Sequence, residues 1–191
     1  MKPHHLIFEG AELAGKSWLM SEIYDRLEVE YNKSGYLLDG CHWFNCDVGV
    51  YGSRHGKPII ESYLKIFTEL KDNNLLVEKF HLSDIVYNRL HRQKEINYIN
   101  IEKQLKKLGF KIILITLPPD KKIIKARIND RLKLCPHYKR ILRKPDWYIK
   151  QQKEYLKEVK KTNLPYLIIE TKKLPDNNLT NKILKWIGEI K

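Results

Sequence analysis

No stretch of this chain approaches the about 20 consecutive apolar residues that a membrane-spanning helix needs, which excludes a helical membrane protein. The first apolar run meets Glu9 too early for a secretory signal peptide, so none is expected. Cysteine is scarce: Cys41, Cys46 and Cys135 are three, an odd number that argues against a disulfide framework and for reduced thiols in a cytoplasmic setting. Cys41-His42 and Cys46 lie close together, yet no second ligand pair follows at zinc spacing. Internal repeats and low-complexity linkers are missing too, so the 191 residues read as one domain rather than an array. Acidic residues are outnumbered, 23 Asp and Glu against 36 Lys and Arg, leaving a net charge of +13. That surplus fits an anionic substrate, a nucleic-acid partner, or only a Lys-rich, low-GC genome. Because it is spread along helical patterns as solvated faces, charge alone does not establish nucleic-acid binding.

What is present begins with Gly10-Ala11-Glu12-Leu13-Ala14-Gly15-Lys16-Ser17, a full match to G-x-x-x-x-G-K-[ST]. The apolar run His5 to Phe8 before it is fit for a buried strand, and Trp18, Leu19, Ile23 and Leu27 after it keep the spacing of a helix face. The chemistry requires this order. Glycines let the backbone wrap a phosphate chain, and N–H groups at the helix start face the anion. Lys16 reaches the outer phosphates as a point charge, and the Ser17 hydroxyl can ligate Mg2+. The loop therefore predicts an ATP site with Mg2+, the bland alternative being a glycine turn that caps a helix.

Periodicity gives the rest of the order. Gly35 to Gly40 reads as a second strand ending in a turn, and Cys41 to Lys57 as a long, glycine-punctuated loop with a binding role. A helix from Pro58 to Leu70, a strand Leu75 to Glu78, and helices at Ser83 to His91 and Glu95 to Leu108 follow. Next come a strand Lys111 to Leu117, a helix from Pro118-Pro119 to Leu132, and a basic loop to Pro145. A helix Asp146 to Lys161, a strand Tyr166 to Glu170 and a helix Asn178 to Ile190 complete the chain. Strands alternating with helices predict a parallel sheet covered on both faces, with ligands at the carboxyl ends of the strands.

Several candidates fall at those ends. Glu78 closes the third strand, where a carboxylate holds the Mg2+ shell or orients a reacting hydroxyl; otherwise it caps a surface turn. Asp39 ends the second strand as read here, either as general base for an acceptor hydroxyl or only as the first residue of an Asp-Gly turn. Arg127 and Arg131 share a helix face, Arg127 suited to lie on an adenine ring and Arg131 to fork onto phosphate oxygens, unless both serve solubility. Residues 132–145, with Lys133, Lys139, Arg140, Arg143 and Lys144, form a candidate lid that excludes water and adds positive charge over the transferring group.

Three motifs in order resemble a family. The opening I-F-E-G-A-x-x-A-G-K-S is similar to the E-G-x-x-G-x-G-K-[ST] loop of thymidylate kinases and deoxynucleoside kinases. The stretch Glu78-Lys79-Phe80-x-x-Ser83-x-x-Val86-Tyr87-Asn88 resembles the D-R-Y-x-x-S-x-x-A-Y-Q signature of thymidylate kinases, and Pro119-Asp120 with Arg127-x-x-x-Arg131 resembles the lid entry of adenylate and thymidylate kinases. The resemblance implies the three-layer P-loop fold with five parallel strands in the order 2-3-1-4-5. It implies transfer of the ATP γ-phosphoryl group to a nucleoside or nucleoside monophosphate. Lys16 and Ser17 then serve phosphate and Mg2+, with Glu78 in place of the signature Asp and Lys79 in place of its Arg. Ser83, Tyr87 and Asn88, with Arg140 and Arg143 of the lid, line the acceptor side. A homodimer is compatible with this reading. The alternatives are a kinase of the same core acting on a nucleic-acid end or modified base, and a non-catalytic nucleotide-binding protein.

Overall fold

The computed structural model describes residues 2–190. Five strands, β1 (His5–Gly10), β2 (Cys41–Asn45), β3 (Asn74–Glu78), β4 (Phe110–Thr116) and β5 (Tyr166–Glu170), form one parallel sheet in the order 2-3-1-4-5. The connecting helices are α1 (Lys16–Tyr31), α2 (Gly56–Glu69), α3 (His81–Arg92), α4 (Ile99–Lys107), α5 (Lys121–Leu134), α6 (Pro145–Val159) and α7 (Asn177–Ile187). Successive side chains of a strand face opposite ways, so one sheet makes two cores. Ile7, Val77, Ile112 and Leu114 pack with Phe67, Ile85, Leu105 and Tyr155 on one face. On the other, Leu6, Phe8, Ile113 and Ile115 pack with Leu19, Ile23, Ile128 and Ile183. Every residue of β1 is buried, as a central parallel strand requires.

The second strand differs from the sequence reading. Tyr36, Leu37 and Leu38 are exposed, and the segment from Lys33 to Gly40 is a chain of turns. Local side-chain hydrogen bonds outcompete the strand there: Gly35 N donates to Asn32 Oδ1 at 2.7 Å, Leu37 N to Ser34 Oγ at 2.8 Å, and Lys33 N to Asp39 Oδ1 at 3.0 Å. The strand begins only at Cys41, where β2 pairs with β3 from Cys41↔Asn74 to Asn45↔Glu78. What the sequence offered as one long loop is therefore an edge strand followed by a shorter loop, residues 46–55.

That register moves Asp39 away from the site. It precedes β2 and lines a small cavity with Pro3 and Asn74 at the amino ends of the strands, opposite the P-loop. A hydrogen bond from the Lys33 backbone holds its carboxyl below the usual carboxylate range and ties it into the turns that precede β2.

Among the described residues, no helix is long and apolar enough to cross a membrane.

Candidate active site

The loop between β1 and α1 has the conformation its glycines predict. Gly10 has φ +129°, and a Cβ there would stand 2.0 Å from the Ile115 carbonyl oxygen, so no side chain fits. Leu13 is left-handed at φ 69°, and Gly15, at φ +85°, lies so close to Pro175 that a Cβ would meet its ring at 2.4 Å. Lys16 opens α1, with its Nζ donating to the carbonyls of Gly10 at 3.0 Å and Ala11 at 2.8 Å. The ammonium folds back onto the carbonyls of its own loop. Burial, reinforced by the charge of Lys79, pulls its pKa down to about 8.

β3 delivers the second part. Its end is level with the end of β1, since Phe8 pairs with Glu78 and Lys79 N donates to Phe8 O at 3.0 Å. This places the buried Glu78 carboxylate against the helix start, where Ser17 Oγ donates to Glu78 Oε1 at 2.9 Å. A hydroxyl and a carboxylate side by side are hard oxygen donors of the kind that bind Mg2+ while leaving it water and phosphate oxygens. The donor set fits the ion, and these are the residues that would hold it.

β2 delivers a third part, one the sequence reading missed. Once the strand runs from Cys41 to Asn45, Asp47 lies two residues past its carboxyl end, and the Lys79 ammonium is paired with its carboxylate. Lys79 is left-handed at φ 56°, which turns its side chain across the mouth of the site and over the Tyr87 ring, 5.9 Å from the centroid. The Asp-Val-Gly two residues past β2 stands in the sequence, but only a correct strand boundary gives it meaning.

The signature residues on α3 divide. Tyr87 faces the site and donates its hydroxyl to Glu12 of the phosphate loop at 2.8 Å. Ser83 and Asn88 are fully buried and do not line a pocket. Ser83 Oγ donates to Glu9 Oε2 at 2.5 Å and pairs with the Tyr155 hydroxyl at 2.8 Å. Asn88 Nδ2 donates to the main-chain oxygen of Asp84 at 2.9 Å and to its Oδ2 at 3.0 Å. Asp84 in turn accepts from Gly52 N at 2.8 Å and from the Tyr98 hydroxyl at 2.7 Å, which anchors the loop after β2. Glu9, just before the loop glycine, caps α3 by accepting from the backbone N–H groups of Phe80, Leu82 and Ser83 at 2.9, 3.1 and 3.2 Å. Burial raises its pKa above the usual carboxylate range.

The two arginines of α5 part company as well. Arg127 is buried, its guanidinium donating to the carbonyls of Thr171, at 3.1 Å, and Lys173 in the loop after β5. These bonds clamp that loop to α5, where the spacing had suggested a place on an adenine ring. Arg131 is exposed and stands 5.5 Å from the ring centroid of Tyr138. Tyr138 lies in a 3-10 turn, Pro136–Arg140, that forms half of the basic loop between α5 and α6, with Arg140 and Arg143 exposed on that loop. A separate cavity of about 640 Å³, lined by Lys57, Glu61, Tyr98 and Gln104, lies between α2 and α4, away from all of these groups.

No protein-family model matches the chain, and no curated protein matches it in sequence. Solved structures do. The YorR protein of Bacillus subtilis, in complex with phosphorylated GDP, is 16% identical and superposes with a TM-score of 0.63 over 95% of this chain and 94% of its own. Deoxyadenosine kinase of M. mycoides with bound dCTP is 17% identical, with a TM-score of 0.57 over 97% of this chain and 100% of its own. Thymidylate kinase of Ehrlichia chaffeensis is 12% identical, with a TM-score of 0.56 over 98% and 99%. The chain has the fold of these P-loop kinases, strand order included.

Proposed function

We propose that this protein transfers the γ-phosphoryl group of ATP to a nucleoside or nucleoside monophosphate. The observation that carries the reading is the convergence, at the carboxyl ends of three adjacent strands, of Lys16, the Ser17–Glu78 pair and the Asp47–Lys79 pair. Phosphoryl transfer asks the protein for positioning and charge more than for covalent chemistry, and each group has a place in that work. The loop N–H groups hold the phosphate chain. Lys16, released from its own carbonyls, turns its ammonium to the outer phosphates. Ser17 and Glu78 hold Mg2+, which when bound neutralises charge on the phosphates and fixes their orientation. Across the site, Asp47 accepts the hydrogen bond of an acceptor hydroxyl and takes its proton as the new P–O bond forms and the bond from the γ-phosphorus to the β,γ-bridging oxygen breaks, releasing ADP. Lys79 steadies Asp47, and for a monophosphate acceptor it binds that phosphate as a point charge, without the two-pronged grip of an arginine. Arg131 brings positive charge from the lid side.

Support for a nucleotide-sized acceptor comes from the neighbours, one solved with phosphorylated GDP and one named a deoxyadenosine kinase. The test is a radiolabelled ATP assay against a panel of nucleosides, monophosphates and oligonucleotides. Transfer to a nucleoside or monophosphate supports the reading, and transfer only to oligonucleotides moves it to a nucleic-acid end. Nucleotide binding without transfer to any acceptor would make the protein a non-catalytic P-loop binder.

A further inference from the structure

A carboxylate inside a phosphate-binding loop is electrostatically adverse, and Glu12 occupies such a position. The structure shows where its charge goes. One oxygen accepts the Tyr87 hydroxyl at 2.8 Å, and the other accepts the Tyr138 hydroxyl at 2.5 Å. Glu12 N also donates to Gln151 Oε1 of α6 at 3.2 Å. The side chain is thus turned out of the phosphate nest and joins the loop to α3 on one side and to the lid on the other. Within the lid, Tyr138 is buried while His137, Lys139 and Arg140 beside it are exposed. Its hydroxyl pairs additionally with that of Tyr148 at 3.2 Å, and its ring carries the Arg131 guanidinium. Burial, reinforced by the hydrogen bond to Glu12, pushes its ionisation far above the ordinary tyrosine value, so it stays a hydrogen-bond donor.

We propose that Tyr138 is the positioning residue for Arg131: anchored by its hydroxyl on Glu12 of the phosphate loop, it presents its ring as the platform that delivers the arginine to the transferring phosphoryl group. Two functions of one side chain are separable here. The hydroxyl fixes the lid to the loop, and the ring fixes the guanidinium by a cation–π contact. Lid docking and arginine placement become a single event, because one phenol does both. The role of Arg131 in this proposal rests on the phosphotransferase reading above; the docking of Tyr138 on Glu12 does not.

The experiment separates the two. Trypsin nicking after Lys139 and Arg140 is followed in nucleotide-free protein, without any substrate. Glu12→Gln and Tyr138→Phe should each speed nicking, and the double variant should be nicked no faster than either single one. Rates equal to wild type in both single variants would overturn the anchor. Turnover is then measured with the acceptor found in the panel. Tyr138→Phe keeps the ring and loses one hydrogen bond to a charged group, so kcat should fall about tenfold with the acceptor KM unchanged. Tyr138→Leu should fall as far as Arg131→Ala, about 10²-fold, and Tyr138→Leu combined with Arg131→Ala should be no slower than either alone. A wild-type kcat in Tyr138→Leu, or multiplying losses in that double variant, would overturn the positioning role. A wild-type protein that shows the expected nicking pattern but transfers to no acceptor would instead overturn the phosphotransferase reading, and the Arg131 role with it.

Discussion

Lys16 carries its charge where water does not reach, and this gives nucleotide binding a proton signature. Its pKa is about 8 in the fold and 10.5 in an unfolded chain. Between those values the unfolded chain holds a proton that the folded one lacks, so this group makes the nucleotide-free protein more stable as pH rises through that window. Phosphates restore the missing counter-charge and raise the pKa again. Just above pH 8, binding of ATP should therefore take up protons, read by calorimetry as a binding heat that varies with the ionisation enthalpy of the buffer. Lys16→Ala should abolish that variation and lower turnover on the order of 10²–10³-fold. The three carboxylates that drew attention as candidates or emerged from the structure should separate just as cleanly in steady-state kinetics. Glu78→Gln should collapse kcat while metal-free nucleotide affinity holds, and Asp47→Asn should collapse kcat with little change in the KM for ATP. Asp39→Asn, at the far end of the sheet, should leave both constants at their wild-type values; a lost turnover there would return the acceptor side to Asp39. Lys16, Ser17 and Glu78 were legible because they sit inside or at the edge of motifs whose spacing encodes their geometry. Asp47 was not, because its meaning depends on where a neighbouring strand stops, and that boundary is set by tertiary pairing with β3.

At the scale of elements, several residues suggested by motif turn out to hold the site rather than touch it. Ser83 and Asn88 keep the spacing of an acceptor-binding signature, yet α3 turns both inward, where they serve Glu9 and Asp84. Spacing says which residues share a helix face; which face is buried depends on the packing of α6 and α4 against that helix. Glu9 is the clearest case, since one carboxylate joins the strand before the phosphate loop to the first turn of α3. Glu9→Ala strands its buried donors and should destabilise the fold by roughly 3 kcal/mol, measured by urea unfolding; a loss below about 1 kcal/mol would mean that the cap contributes little. Arg127→Ala should behave alike on a smaller scale, because α5 then releases the carbonyls of Thr171 and Lys173. Its melting temperature should drop together with a rise in the KM for ATP, whereas Arg131→Ala should leave the melting temperature alone and lower kcat. In the lid, composition revealed the five cations from Lys133 to Lys144, but the anchoring residue is an uncharged tyrosine among them. Charge density marks a lid; it does not mark the hinge pin.

For the whole molecule, alternating strands and helices made the parallel, doubly covered sheet legible, and the phosphate loop fixed which strand leads it. The second strand was misplaced: it was read at Gly35 to Gly40, where Tyr36, Leu37 and Leu38 mimic a strand while polar neighbours close turns around them, and the helix read from Glu95 begins only at Ile99. The central place of β1 has a consequence for how the chain is made. Gly10 lies against the Ile115 carbonyl oxygen, and β1 is held between β3 and β4, so the phosphate loop has no floor until β4 has been synthesised. Until then the apolar residues Leu6, Ile7 and Phe8, buried in the finished fold, lack the neighbouring strand that covers them. Such long-range closure makes folding slow and leaves that apolar strand open to aggregation or to a chaperone until β4 emerges. The motif that binds phosphate is translated well before the strand that completes it.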